Sequence, residues 1–175
     1  VVHPGSHLGD GEEAGLKRIA QGLEKASVFR GDVLSSPGVL KPSYMVDVWL
    51  HYLGSNKKPI KNRTRIRFHT GTSEVLGILI LLNREELPPG EAALAQFRID
   101  SPLALIKNDR FVIRSYSPVR TIGGGNILNP IPQKHKRFKP EIIKGLTGLM
   151  DQGPENIISY HVRESGYQGV GFSDI

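Results

Sequence analysis

From Lys41 onward, apolar and polar residues alternate with a period of two, and short clusters of turn residues interrupt the alternation. Along Tyr44 to Leu53, Val46, Val48, Leu50 and Tyr52 take one side while Asp47, Trp49 and His51 take the other, which predicts a strand with one face in a core. Gly54-Ser55-Asn56-Lys57-Lys58-Pro59 follows as a polar loop. Further strands are predicted over Lys61 to His69, Glu74 to Leu82, Ala92 to Ile99 and a short Leu103 to Ile106, with a turn at Leu87-Pro88-Pro89-Gly90. From Arg110 to Arg114, Phe111 and Ile113 alternate with Arg110, Val112 and Arg114, and the chain then turns at Ser117-Pro118. The segment after that corner carries Gly123, Gly124 and Gly125 and ends at Ile127-Leu128-Asn129-Pro130. A strand, a tight corner and a glycine-bent strand are parts of a closed antiparallel sheet. The pattern predicts a mainly β protein built on a six-stranded antiparallel β-barrel over residues 39–131.

The pattern changes on both sides. Residues 1–38 are punctuated by Gly5, Gly9, Gly11, Gly15 and Gly22 and hold too little apolar material for a core. They are expected to be the tail of a preceding domain, with Ser35-Ser36-Pro37-Gly38 as its linker. Arg30-Gly31-Asp32 fits a strand-entry turn better than an adhesion motif. After the barrel comes a basic linker, Lys134-His135-Lys136-Arg137, and then a period near 3.6. Ile142, Ile143, Leu146, Leu149 and Met150 fit one helix, and a second is expected from Pro154 through Ile157, Ile158, His161 and Val162. Residues 132–175 therefore read as a basic linker and the first helices of an incomplete helical module.

Charge sharpens this division. The net charge is +6, and residues 42–130 hold twelve Lys/Arg against seven Asp/Glu. Residues 131–139 add four bases with no acid, whereas residues 140–175 hold two bases against five acids. Positive charge concentrated on the barrel and the segment after it suits a polyanionic partner. No apolar run approaches the roughly 20 residues of a membrane helix, the longest being Val75 to Leu82 with Gly77 inside it. Val1-Val2-His3-Pro4-Gly5 lacks the pattern of a signal peptide, and there is no Cys for a disulfide or thiolate–metal framework. The six His have no metal-ligand spacing and the carboxylates are scattered over turns, so the candidate chemistry is binding, with no catalytic residue.

Two groups of residues are candidates. On the Lys61 to His69 segment, Arg63, Arg65, Arg67 and His69 face away from Ile66 and Phe68. Cations at i and i+2 stand about 6.6 to 6.8 Å apart, a spacing that can follow a phosphate backbone. The same pattern also describes a solvated strand face whose charges protect a sheet edge. Around the corner, Arg114, Tyr116, Ser117 and Arg120 bring two guanidinium groups and two hydroxyls, a set suited to gripping phosphate.

Arg110-Phe111-Val112-Ile113-Arg114 followed by Arg120-Thr121-Ile122-Gly123-Gly124-Gly125 is similar to the last hairpin of the third domain of elongation factor Tu. The closer resemblance is to the bacterial selenocysteine-specific elongation factors, carried by Asp109-Arg110-Phe111-Val112-Ile113-Arg114-Ser115-Tyr116-Ser117-Pro118 and Lys134-His135-Lys136-Arg137. Arg65-Ile66-Arg67-Phe68-His69-Thr70-Gly71-Thr72 with Glu74-Val75-Leu76-Gly77 resembles that family's third-barrel core, and residues 24–34 resemble the end of its second barrel. The resemblance implies part of a cytoplasmic translation factor that delivers selenocysteinyl-tRNA to the ribosome, with the tail from Lys139 as the incomplete start of the first of the winged-helix modules that bind a hairpin in the messenger RNA. It implies GTP and magnesium for a GTPase domain, yet no Gly-x-x-x-x-Gly-Lys-Ser/Thr loop occurs in this chain, so this part is expected to be no enzyme and to need no cofactor. It further implies that the barrel holds the acceptor and T arm of the tRNA, with Lys61 or Arg63, Ser115, Tyr116 and Ser117 nearest the RNA. The basic set Lys134, Lys136 and Arg137 joins Lys61, Arg63, Arg65, Arg67, His69, Arg114, Tyr116, Ser117 and Arg120 as candidate RNA contacts.

Two other readings stay open at this point. Arg114-Ser115-Tyr116-Ser117 resembles the Arg-x-Tyr-Ser motif of flavin-binding barrels in the ferredoxin-reductase family, although no βαβ nicotinamide domain follows it. Alternatively the barrel is a coupler between neighbouring domains, with no RNA contact of its own.

Overall fold

The computed structural model describes residues 30–36, 39–150, 158, 160 and 162. Its elements are β1 (Ser43–Tyr52), β2 (Ile60–Lys61), β3 (Arg65–Thr70), β4 (Ser73–Leu81), β5 (Glu86–Leu87), β6 (Ala92–Leu103), β7 (Arg110–Ser115), β8 (Thr121–Asn129) and the helix α1 (Pro140–Gly148). Six of the strands close into an antiparallel barrel in the order β1-β6-β4-β3-β7-β8, while β2 and β5 pair separately. The mainly β, six-stranded barrel expected from the alternation is therefore observed.

The interior is filled by the residues that alternation placed inward. Val46, Val48 and Leu50 from β1, Ile66 and Phe68 from β3, Leu79 from β4, Phe97 from β6 and Ile113 from β7 are all fully buried. At its centre the rings of Phe68, Phe97 and Phe111 meet with centroids 5.1, 5.0 and 5.6 Å apart. Tilted and offset contacts of this kind are the favoured aromatic arrangement. Closure depends on β8, which pairs with β1 on one side and β7 on the other. There the backbones approach so closely that a Cβ at Gly124 would lie 2.6 Å from the Phe111 carbonyl oxygen, and one at Gly125 would overlap the Trp49 carbonyl. Only glycine fits such an approach.

A second apolar cluster lies outside the barrel. Ile80, Leu82, Leu94 and Leu128 point outward from the sheet and are covered by Leu146, Leu149 and Tyr160. Burial on both faces explains why Val75 to Leu82 reads as a nearly continuous apolar run. The covering helix α1 begins with Pro in its first turn and Glu141 near its positive end, both ordinary for a helix start. At Gly145 a Cβ would stand 3.1 Å from the Tyr160 ring, so the glycine admits that ring, whose hydroxyl accepts from Asn129 Nδ2 at 3.0 Å. The second expected helix falls mostly outside the described residues, as do residues 1–29, although Ile158, Tyr160 and Val162 are helical. Among the described residues no helix is long and apolar enough to cross a membrane.

The segment joining barrel to helix is bonded to the barrel wall. His135 Nε2 lies 2.6 Å from Asp47 Oδ2, and Gln96 Nε2 donates to Asp47 Oδ1 at 2.9 Å and to the Gln133 carbonyl at 2.9 Å. Arg137 donates to the carbonyls of Leu81 at 2.7 Å and Arg84 at 2.6 Å, and the Phe138 amide donates to the Leu82 carbonyl at 2.7 Å. Asp47, whose strand position predicted a solvent face, is fully buried because this segment lies over it.

Three strand expectations need correction. Lys61 to His69 is not one strand: β2 stops at Lys61, and a turn places Arg63 at φ +65° before β3 begins at Arg65. The Arg63 amide donates to the Leu79 carbonyl at 2.8 Å and the Thr64 hydroxyl donates to Lys61 O at 2.7 Å, which fixes the turn. Leu103 to Ile106 is no separate strand, since β6 runs on to Leu103. Leu87, expected as the first residue of the turn Leu87-Pro88-Pro89-Gly90, instead ends β5, which pairs with β2.

Candidate nucleic-acid interface

The β7–β8 corner, the β1–β2 loop and the turn between β2 and β3 meet at one end of the barrel. Between them lies a cleft of about 610 Å³, lined by cations Lys57, Lys58, Lys61, Arg65 and Arg120, by hydroxyls of Tyr52, Thr64, Ser115, Tyr116 and Ser117, and by Pro59, Ile60 and Ile122. No carboxylate lines it. Five cations and five hydroxyls around an open cleft form a donor-rich surface for phosphate and sugar oxygens.

Its walls are set by backbone bonding. Asn56, nearly buried, donates from Nδ2 to the carbonyls of Leu53 and Ile122, each at 2.8 Å, which ties the β1–β2 loop to β8. The Tyr52 hydroxyl donates to the Lys58 carbonyl at 3.1 Å and holds the lysine-bearing part of that loop at the rim. Burial raises the Tyr52 phenol above its ordinary value, with Arg120 pulling it down, so the phenol keeps its proton and remains a donor at neutral pH. At the corner the Ser115 amide donates to the Arg120 carbonyl at 2.9 Å, and the Arg120 amide donates to Ser115 Oγ at 3.2 Å. Ser115 Oγ also donates to the Pro118 carbonyl, and the Ser117–Pro118 peptide is cis. These bonds present Tyr116, Ser117 and Arg120 outward as exposed side chains.

Of the twelve candidate residues, Lys61, Arg65, Tyr116, Ser117 and Arg120 line the cleft. Arg65 is held by Asp100 at 2.6 Å, a half-exposed pair that leaves the guanidinium accessible. Arg67 and His69 continue along the outer face of β3, Arg114 stands opposite Arg67 on β7, and the Arg67 guanidinium lies 5.6 Å from the Tyr116 ring centroid. Arg63 sits on the turn and not on the ladder. Lys134 and Lys136 are exposed beside the barrel wall, while Arg137 is engaged with backbone carbonyls and with Glu85 at 3.0 Å. Ser115, which the resemblance placed near the RNA, also lines the cleft, whereas Lys57, Lys58, Tyr52 and Thr64 are cleft residues that the sequence reading does not single out. The available signal was the Lys57-Lys58 pair in a loop whose Asn56 and Pro59 mark a fixed turn. Among the described residues no group of three or more His, Asp or Glu is placed to hold a metal ion.

Comparison with known proteins agrees with this architecture. Residues 47–134 match the family described as selenocysteine-specific elongation factor, beta-barrel domain. A selenocysteine-specific elongation factor from Desulfomicrobium baculatum is 37% identical over 154 residues, covering 88% of this chain and 24% of that protein. The chain thus spans about a quarter of the length of that curated relative. The matched residues take in the whole cleft, and the chain belongs to the selenocysteine-specific elongation factor family through its beta-barrel domain.

Proposed function

We propose that this barrel grips the acceptor and T arm of selenocysteinyl-tRNA through the cleft between the β1–β2 loop and the β7–β8 corner. The observation that carries the reading is the composition of that cleft: Lys57, Lys58, Lys61, Arg65 and Arg120 converge on it without a facing carboxylate. Helical RNA offers phosphates and 2′-hydroxyls rather than readable base edges in its deep groove, and this cleft offers cations and hydroxyls. In this reading the chain performs no chemistry. GTP and magnesium belong to another part of the parent, and the ribosome and the messenger hairpin are partners of the parent protein, which acts in the cytoplasm.

Binding of the 175-residue chain to a selenocysteine-tRNA acceptor-arm hairpin across salt tests this. Three or four phosphate contacts give a log–log slope near −2 to −3. A Lys57→Ala, Lys61→Ala, Arg120→Ala variant that bound as tightly as the parent, with the same slope, would sink the proposal. A messenger hairpin serves as the competing RNA and is expected to bind more weakly.

A coupling role is compatible with this one. The bonding of residues 133–138 to the barrel wall supports it, because a rigid junction passes the orientation of the barrel to whatever follows α1. With the family assigned, Arg114-Ser115-Tyr116-Ser117 is a strand end and cis corner of a translation-factor barrel, and the flavin reading has no remaining support.

A further inference from the structure

A second cationic group lies outside the cleft. Arg67 on β3 and Arg114 on β7 are register partners, so both side chains leave the same outer face of the sheet. Like charges directly opposite one another on a sheet are destabilising. His69 follows on the same face of β3, and Arg30 is anchored beside it by donating Nε to the Thr72 carbonyl at 3.1 Å. Glu74 from β4 faces His69 and bonds Arg67 at 2.7 Å. Three arginines and a histidine thus share one carboxylate. The Nε atoms of Arg67 and Arg114 and Nε2 of His69 are shielded from solvent and have no hydrogen-bond partner. Cations crowded on one face with a single carboxylate repel one another, and an anion bound among their exposed ends relieves that repulsion.

We propose that this outer face of β3 and β7 is a second anion site, in which Arg30, Arg67, His69 and Arg114 hold a phosphodiester of the same RNA beyond the phosphates in the cleft. The proposal rests on the RNA reading given above and extends it. Continuity favours RNA over an acidic protein segment. Arg65 lines the cleft and stands two residues before Arg67 on one strand face, about 6.8 Å along it. Tyr116 also lines the cleft, and its ring lies against Arg67. One polyanion can pass from the first site to the second without a gap.

The site is also linked to a proton. Burial lowers the His69 pKa from its ordinary value, Glu74 opposes this, and the cations of Arg114, Arg67 and Arg30 reinforce it. Those four are the charged groups facing the imidazole from β4, β7, its own strand and the preceding segment. A bound phosphate favours the imidazolium, so binding takes up a proton and affinity rises as pH falls below neutrality.

The test uses the 175-residue chain and the tRNA acceptor-arm hairpin, titrated from about 50 to about 300 mM salt. Arg114→Gln and Arg30→Gln are each expected to weaken binding about three- to tenfold at about 0.1 M salt and to flatten the slope by about 0.7 to 1. Between about pH 8 and about pH 5.5 the parent should gain more affinity than His69→Gln. If both arginine variants keep the parental affinity and slope while Lys57→Ala/Arg120→Ala weakens, the outer site is overturned and the cleft stands. If the parent binds no hairpin at any salt concentration, the cleft reading fails and the outer site falls with it.

Discussion

Replacing Asp47 by alanine removes the centre of the polar contact between the barrel and the segment that follows it. The Asp47 side chain is fully buried and that of His135 is 3% exposed, with 2.6 Å between Oδ2 and Nε2. Deleting one member of a buried pair leaves the other without compensation, which costs about 3 to 5 kcal/mol. Gln96 keeps its bond to the Gln133 carbonyl, so the lower end of that range, about 3 kcal/mol, applies. For a chain of this size each kcal/mol moves the melting temperature by roughly 2 to 4 °C, giving a fall of about 6 to 12 °C. Asp47→Asn keeps the shape and one acceptor and should cost about 1 to 2 kcal/mol. Trp49, the single tryptophan, packs against the outer cluster and reports the transition by fluorescence. Trypsin should cut faster after Lys134, Lys136 and Arg137 in the variant, because the segment would no longer be fixed to the wall. A cycle with His135→Ala isolates the pair, with an expected coupling of about 2 kcal/mol. Additive single effects, or a melting shift under about 2 °C with unchanged proteolysis, would refute this account.

Gly125→Ala should prevent barrel closure or destabilise it by more than about 3 kcal/mol, measured by urea unfolding, since its Cβ would overlap the Trp49 carbonyl. Arg63→Gly should leave thermal stability unchanged or raise it by up to about 1 kcal/mol, because a left-handed φ costs an L-residue about that much; a clear loss would show that the Arg63 side chain holds the turn. Asp100→Asn frees Arg65, and RNA affinity at low salt is expected to rise about two- to threefold with little change in melting temperature, as befits a half-exposed ion pair; weaker binding would show that Asp100 positions the arginine productively.

The barrel was legible because its strands carry a one-sided pattern: Val46, Val48, Leu50 and Tyr52 face inward and their intervening residues face outward, so the period alone orients β1. The Lys61 to His69 segment misled because its basic residues kept period two through a turn. Asn62, Arg63 and Thr64 carry no glycine or proline to announce the break, and it is made by Arg63 adopting a left-handed conformation and by bonds to Leu79 and Lys61. The cleft was half legible for a related reason. Its corner residues are adjacent in sequence, but Lys57 and Lys58 reach it only because Asn56 ties their loop to the carbonyl of Ile122, 66 residues away. No local pattern encodes that distance.

The segment from Gln133 to Phe138 shows how charge in a sequence and charge at a surface come apart. Its four basic or titratable residues look alike as a cluster, yet His135 is buried on Asp47 and Arg137 bonds the carbonyls of Leu81 and Arg84, while Lys134 and Lys136 remain exposed. The buried half fixes the path of the chain and the exposed half is what a polyanion can meet. This separation would tie the proposed coupling role to the proposed binding role in one stretch: moving Lys134 and Lys136 relative to the barrel requires breaking the Asp47–His135 contact and the bonds of Arg137, so these two lysines are held in one geometry against the barrel.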